Sequence, residues 1–137
     1  MKDSASNDER RYILPRSRIL RGREPVQRLF RKGRVVRDHN MDLRYLVFPG
    51  QPEICLMGFI AGKRLGKAHK RNVIKRRMRE AYRLNQHMIR EVAKSEQIGF
   101  HGIFIVKKAD APFSAIELEC KRLLAAVRSQ LKAGGTT

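Results

Sequence analysis

The chain has 137 residues, 42% hydrophobic and 32% charged, and its 31 Lys and Arg against 13 Asp and Glu give a formal net charge of +18. This length suits one domain with a real core, and no apolar run is long enough to span a bilayer. So large a one-signed charge excludes an ordinary mixed surface and steers anionic partners, with nucleic acid or an acidic membrane surface as the available polyanions.

Residues 1–11 (MKDSASNDERR) are polar, lack the apolar stretch of a secretory signal, and read as a disordered arm. Residues 12–132 read as the one folded domain and 133–137 (AGGTT) as a disordered tail. The stretch REPVQRLFRKG predicts a short helix. Glu24 and Pro25 suit its first turn and Gly33 its end, and Val26, Leu29 and Phe30 share one face.

A short strand is expected around Val35–Val36. MDLRYLVF (Met41–Phe48) alternates Met41, Leu43, Tyr45 and Val47 on one side and reads as a strand. PGQPE is a turn, and ICLMGFIAG (Ile54–Gly62) a more buried strand, predicted to form a hairpin with the preceding one. Next comes a predicted amphipathic helix over about Ala68–Ala93. Val73, Ile74, Met78, Ala81, Leu84, Met88 and Val92 lie on one side, opposite Arg71, Asn72, Lys75, Arg76, Arg79 and Arg83. GIFIVKK (Gly102–Lys108) is a nearly all-apolar, hence central, strand. Ser114–Glu117 has the spacing of a capping box opening a last helix, with Ile116, Cys120, Leu123, Leu124, Val127 and Leu131 inward. The order predicts an α/β protein, a two-layer α/β sandwich with three helices.

The charge is concentrated. Residues 10–37 carry eleven basic side chains and one acid, and residues 62–83 ten and one, which is 21 of the 31 cations. A solvated helix face normally mixes signs, because like-charged i,i+4 pairs are destabilising. Arg71, Lys75, Arg79 and Arg83 form a like-charge i,i+4 ladder without an acid in it, with Asn72 as an amide able to donate and accept. This points to a polyanion-binding face. Arg forks fit phosphate oxygens, and Lys63, Arg64 and Lys67 in the preceding loop extend the track. Gly62 and Gly66 lack the spacing of a phosphate-binding loop, and neither a nucleophilic triad nor a carboxylate pair is legible. Phe30 and Tyr45 either stack on unpaired bases or are core between the first helix and the sheet; the residues alone favour core.

Cys55 and Cys120 sit in apolar patterns with no C-x-x-C pair, as two reduced, buried thiols that fit a cytoplasmic location. His39, His69, His87 and His101 lack metal-ligand spacing, so no protein-bound metal is expected.

GFIAGKRLGKAHKRNVIKRRMREAYR closely resembles the signature of the protein subunit of bacterial ribonuclease P, through Gly58, Lys63, Arg64, Gly66, Ala68, Arg71, Asn72, Lys75, Arg76, Arg79 and Glu80. ILRGREPVQRLFRKG is similar to that family's leading helix, with Leu20, Phe30 and Gly33 in place, and the resemblance covers roughly residues 10–130. Val73 and Val26 depart from it, at positions where the family often has a basic residue and an aromatic.

The resemblance implies a small mixed sheet of the ribosomal-protein-S5-domain-2-like kind, with a left-handed βαβ crossover against the usual right-handed rule. It implies a monomer alone and a heterodimer with ribonuclease P RNA, which would cut the 5′ leader from precursor tRNA using magnesium held by the complex. Lys63, Arg64, Lys67, Arg71, Asn72, Lys75, Arg76 and Arg79 would hold the RNA. A cleft including Val26, Phe30 and Tyr45 would hold the leader. The competing readings are a ribosomal or other structural RNA-binding protein, a membrane-surface protein, and a self-sufficient nuclease.

Overall fold

A computed structural model describes residues 12–134. The arm at 1–11 lies outside the described residues, as does the tail from 135 onward; Ala133 and Gly134 turn back on the last helix through bonds to the carbonyls of Ser129 and Leu131.

Helix α1 spans Arg23–Lys32. Gly33 ends it with its N–H on the Leu29 carbonyl at 2.9 Å, and a Cβ there would sit 2.4 Å from that same oxygen. Strand β1 (Arg34–Arg37) pairs antiparallel with β2 (Met41–Pro49).

Strand β3 (Cys55–Ala61) does not form the expected hairpin with β2. The sheet order is β1-β2-β4-β3, with β4 (Ile98–Val106) antiparallel to β2 and parallel to β3. Burial explains the insertion. Phe100, Phe104 and Val106 are buried on one face of β4 and Ile103 on the other, so the most apolar strand takes the centre. Gly99 makes room for the chain to cross from β2 to β3, because a Cβ there would stand 2.7 Å from the Gln51 carbonyl.

β3 connects to its parallel neighbour β4 through α2 (Ala68–Asn85) and α3 (His87–Ser95). One long helix was expected here. It is interrupted at the single residue Gln86, whose backbone stays helical at φ −59° and ψ −26°, where neighbouring amide side chains compete for backbone carbonyls. Asn85 donates to Ala81 O at 2.8 Å, and the fully buried Gln86 donates to Arg83 O at 3.1 Å. The three expected helices thus become four among the described residues, the last being α4 (Phe113–Lys132). α4 begins with Pro112 at its cap and no side-chain cap. Ser114 lies inside the first turn, so the expected capping box does not form.

α2, α3 and α4 cover one face of the sheet, burying Ile74, Met78, Tyr82, Ile89, Cys120, Leu124 and Val127 against Leu43, Tyr45, Met57 and Phe104. Tyr82 and Ile89 join the inward face read from the sequence, while Val73, Leu84 and Met88 lie half-buried at its margins. α1 covers part of the other face, where Leu29 and Val26 pack with Leu20 and Ile103.

One buried carboxylate fixes the start of β2. Glu119 of α4 accepts from the backbone N–H of Asn40 at 2.7 Å and of Met41 at 3.2 Å, and from the Asn40 amide. Glu119→Ala strands these donors and is expected to cost about 2–4 kcal/mol in urea unfolding, with Glu119→Gln losing less because one acceptor remains.

Candidate nucleic-acid interface

The basic surface starts in the loop after β3. Lys63–Leu65 form a 3-10 turn whose Leu65 is buried, leaving Lys63 and Arg64 outside. Gly66 sits at φ +131°, a left-handed conformation that favours glycine. Its carbonyl accepts from Arg71 Nε at 3.2 Å, tying the loop to the helix. α2 then begins at Ala68 with no acid in its first turn, so the positive end of its dipole adds to Lys67, Lys70 and Arg71 instead of being offset.

Burial of Ile74, Met78, Ala81 and Tyr82 turns the opposite side of α2 to solvent. Asn72, Arg76 and Arg79 are exposed there, with Arg71 and Lys75 half-exposed. Among the described residues, no carboxylate lies within 4.0 Å of Lys63, Arg64, Lys67, Arg71, Lys75, Arg76 or Arg79. The acids pair elsewhere: Asp38 with Arg122 at 2.9 Å, and Asp42 with Lys107 at 2.8 Å.

The ladder's last rung differs from the sequence reading. Arg83 is held by Glu80 at 2.7 and 2.9 Å, and this pairing keeps the Glu80 carboxyl below the ordinary carboxylate range. Arg77 donates to Ala111 O at 2.8 Å and belongs to the helix packing.

The second surface lies between α1 and the sheet. Phe30 is 45% exposed, and the Arg44 guanidinium stands 4.9 Å from its ring centroid. Val26 is half-buried below it. Tyr45 is not in this cleft. Alternation puts it on the opposite sheet face, fully buried, stacked on Phe100 at 5.7 Å with its hydroxyl bonded to Gln130 of α4. The sheet residues that face α1 are those one register away, Arg44, Leu46 and Phe48 with His101 and Ile105. The signal was the alternation itself, which places Arg44, Leu46 and Phe48 opposite Leu43, Tyr45 and Val47.

His101 meets Phe48 edge-on at 4.8 Å. Burial, and then the charge of Arg28 on α1, hold its imidazole below the usual value of 6.5. A folded-state value lowered in this way makes the unfolded chain bind the proton first as pH falls. This contribution to stability is therefore complete above about pH 6.5 and declines below it. NMR titration should place the His101 midpoint below 6.5, and Arg28→Ala should raise it.

Neither surface carries an activated nucleophile. Cys55 and Cys120 are buried and free, and burial pushes both thiols up. Among the described residues no three His, Cys, Asp or Glu gather as metal ligands, and no helix is long and apolar enough to cross a membrane.

A family model described as Ribonuclease P matches residues 14–128. The ribonuclease P protein component of Chlorobaculum tepidum is 34% identical over 134 residues, covering 92% of this chain and 85% of that protein. The protein component of Chloroflexus aggregans is 38% identical over 85 residues, and that match spans 60% of this chain and 58% of the relative. Among solved structures, an RNase P protein from Staphylococcus aureus superposes with a TM-score of 0.64 at 22% identity, covering 80% of this chain and 94% of that one. The RNase P protein from Thermotoga maritima gives 0.62 at 22% identity over 77% and 94%. At that identity the two structures establish the fold.

Proposed function

This chain belongs to the ribonuclease P protein family, and we propose that it is the protein component of a ribonucleoprotein that removes the 5′ leader of precursor tRNA, with the chemistry carried by the RNA. The observation that carries this reading is the exposed side of α2, where Arg71, Lys75, Arg76 and Arg79 stand with no carboxylate within 4.0 Å among the described residues. A protein surface that keeps such charges unpaired gains their free energy only when a polyanion replaces the counter-ions.

Two polyanions, catalytic RNA and substrate, repel each other. A cationic chain between them lowers that repulsion and with it the magnesium that the complex requires. Magnesium would be held by RNA phosphates, whose oxygens are its preferred ligands. The loop and α2 would dock the RNA through Lys63, Arg64, Lys67, Arg71, Asn72, Lys75, Arg76 and Arg79. The leader would enter the α1 cleft, its bases against Phe30 and its phosphates near Arg44 and Arg28.

Reconstitution tests this. The chain added to ribonuclease P RNA at low magnesium should restore cleavage of precursor tRNA. Failure to bind that RNA would overturn the reading, as would cleavage by the chain with no RNA present.

A further inference from the structure

Residues 12–21 form a strap fixed at both ends. At the first, the buried Gln86 amide donates to Ile13 O at 2.9 Å, and Arg83 donates to Tyr12 O at 2.9 Å. Both anchors sit at the break between α2 and α3, so the broken helix and the strap share one device. At the second, Leu20 N–H donates to Met57 O at 3.0 Å beside a parallel bridge between Ile19 and Met57, which covers the edge of β3. Gly58 permits this approach, because a Cβ there would lie 3.1 Å from Leu20 O.

Between its anchors the strap and α2 border a cavity of about 390 Å³ lined by Leu14, Arg16, Ile19, Arg21 and Arg79. Every charged group in that lining is a guanidinium. Among the described residues, none of the three has a carboxylate within 4.0 Å. A second cavity that the strap reaches through Arg18 differs, since Glu53 and Glu91 line it together with Arg90.

We propose that the strap and α2 form a groove that clasps one phosphate of the RNA backbone, with Arg16, Arg21 and Arg79 as its cations and Leu14 and Ile19 as a floor for the attached sugar or base. Arg79 belongs to the basic face already described; Arg16 and Arg21, 63 and 58 positions before it in sequence, are brought to it by the anchored strap. Guanidinium forks matched to phosphate oxygens and an aliphatic wall suit a nucleotide unit better than a bare ion. Gln86 is a positioning residue: it touches no RNA and holds the strap that does.

This inference rests on the RNA-binding reading above, and its test separates the two. Wild-type binding to ribonuclease P RNA tests that reading; only the difference between variant and wild type tests the groove. Arg16→Ala with Arg21→Ala in the full chain should lower affinity for the RNA about tenfold at moderate salt. It should reduce the log–log salt slope by about 0.7–0.9, the share of one phosphate, with the melting temperature unchanged. A wild-type slope in this variant overturns the groove. Gln86→Leu leaves the net charge alone and should produce the same slope change; a full slope there refutes a fixed strap. Lys121→Ala with Lys132→Ala, on exposed positions of α4, should leave the slope intact, and an equal loss would reduce the effect to general charge. Inorganic phosphate followed by NMR distinguishes the source. Its loss in the Arg16→Ala/Arg21→Ala variant with RNA affinity unchanged would make this a free-phosphate site and overturn the assignment.

Discussion

Alanine at Arg71, Lys75 and Arg79 together is expected to abolish the rescue of precursor tRNA cleavage at low magnesium while the chain stays folded. All three side chains reach the solvent side of α2 and none is paired with an acid among the described residues, so their removal breaks no ion pair. It also relieves a run of like-charged i,i+4 neighbours, each worth a few tenths of a kcal/mol, which offsets the lost bond from Arg71 to Gly66 O, so the melting temperature should stay near the wild-type value. Binding should respond in the opposite sense. Three lost phosphate contacts at about 0.7–0.9 each reduce the salt slope by about 2–2.7, and affinity near 0.1 M salt should fall by about 10²–10³. Raising magnesium should recover part of the cleavage, because added cation replaces some of the missing charge. Unchanged rescue at low magnesium would remove α2 as the docking surface. Arg83→Ala is not a simple neighbour of these three: Glu80 already neutralises its charge, while its guanidinium also holds Tyr12 O at 2.9 Å, so a slope change there reports a loosened strap and not a lost phosphate contact on α2.

The basic face was legible because charge and helical periodicity are local properties. Val73, Ile74 and Met78 at helical spacing set the direction of Arg71, Lys75 and Arg79 before any partner strand is known. The pairing of β2 with β3 was misread because adjacency in sequence is only a prior on adjacency in a sheet. What decides it is that β4 has apolar residues on both faces and therefore claims the centre. Gly99 was the local trace of that choice, and its meaning depends on Gln51, 48 positions away in a loop that sequence cannot place. The break at Gln86 was hidden for a related reason, since Gln is a good helix former until its amide is buried against Ile13 O and Arg83 O. The family resemblance supplied the pairing of α1 with an RNA-binding cleft, which no periodicity contains. Tyr45 was the one cleft residue that periodicity could have excluded. It alternates with Met41, Leu43 and Val47, and all four belong to the face under α2, α3 and α4.

Phe30 and Tyr45 should therefore separate cleanly when each is changed to alanine. Phe30→Ala removes a half-exposed ring from the rim of the α1 cleft, where it carries the Arg44 guanidinium on one face. The stability cost should stay below about 1 kcal/mol, because little of that ring's apolar surface is taken from water. Base stacking on an aromatic is worth about 1–3 kcal/mol per base, so affinity for precursor tRNA should drop about tenfold or more while affinity for leaderless tRNA is unchanged. Tyr45→Ala does the reverse. It empties a fully buried site between Phe100 and α4 and removes the hydroxyl bonded to Gln130, at a cost of about 3–5 kcal/mol in urea unfolding. Whatever fraction stays folded should still prefer precursor over leaderless tRNA by the wild-type ratio, because nothing on the α1 side of the sheet has been removed. A Phe30→Ala chain with the wild-type ratio would take the leader out of this cleft. A Tyr45→Ala chain that folds normally and loses the ratio would put the leader on the other side of the sheet, where three helices now stand.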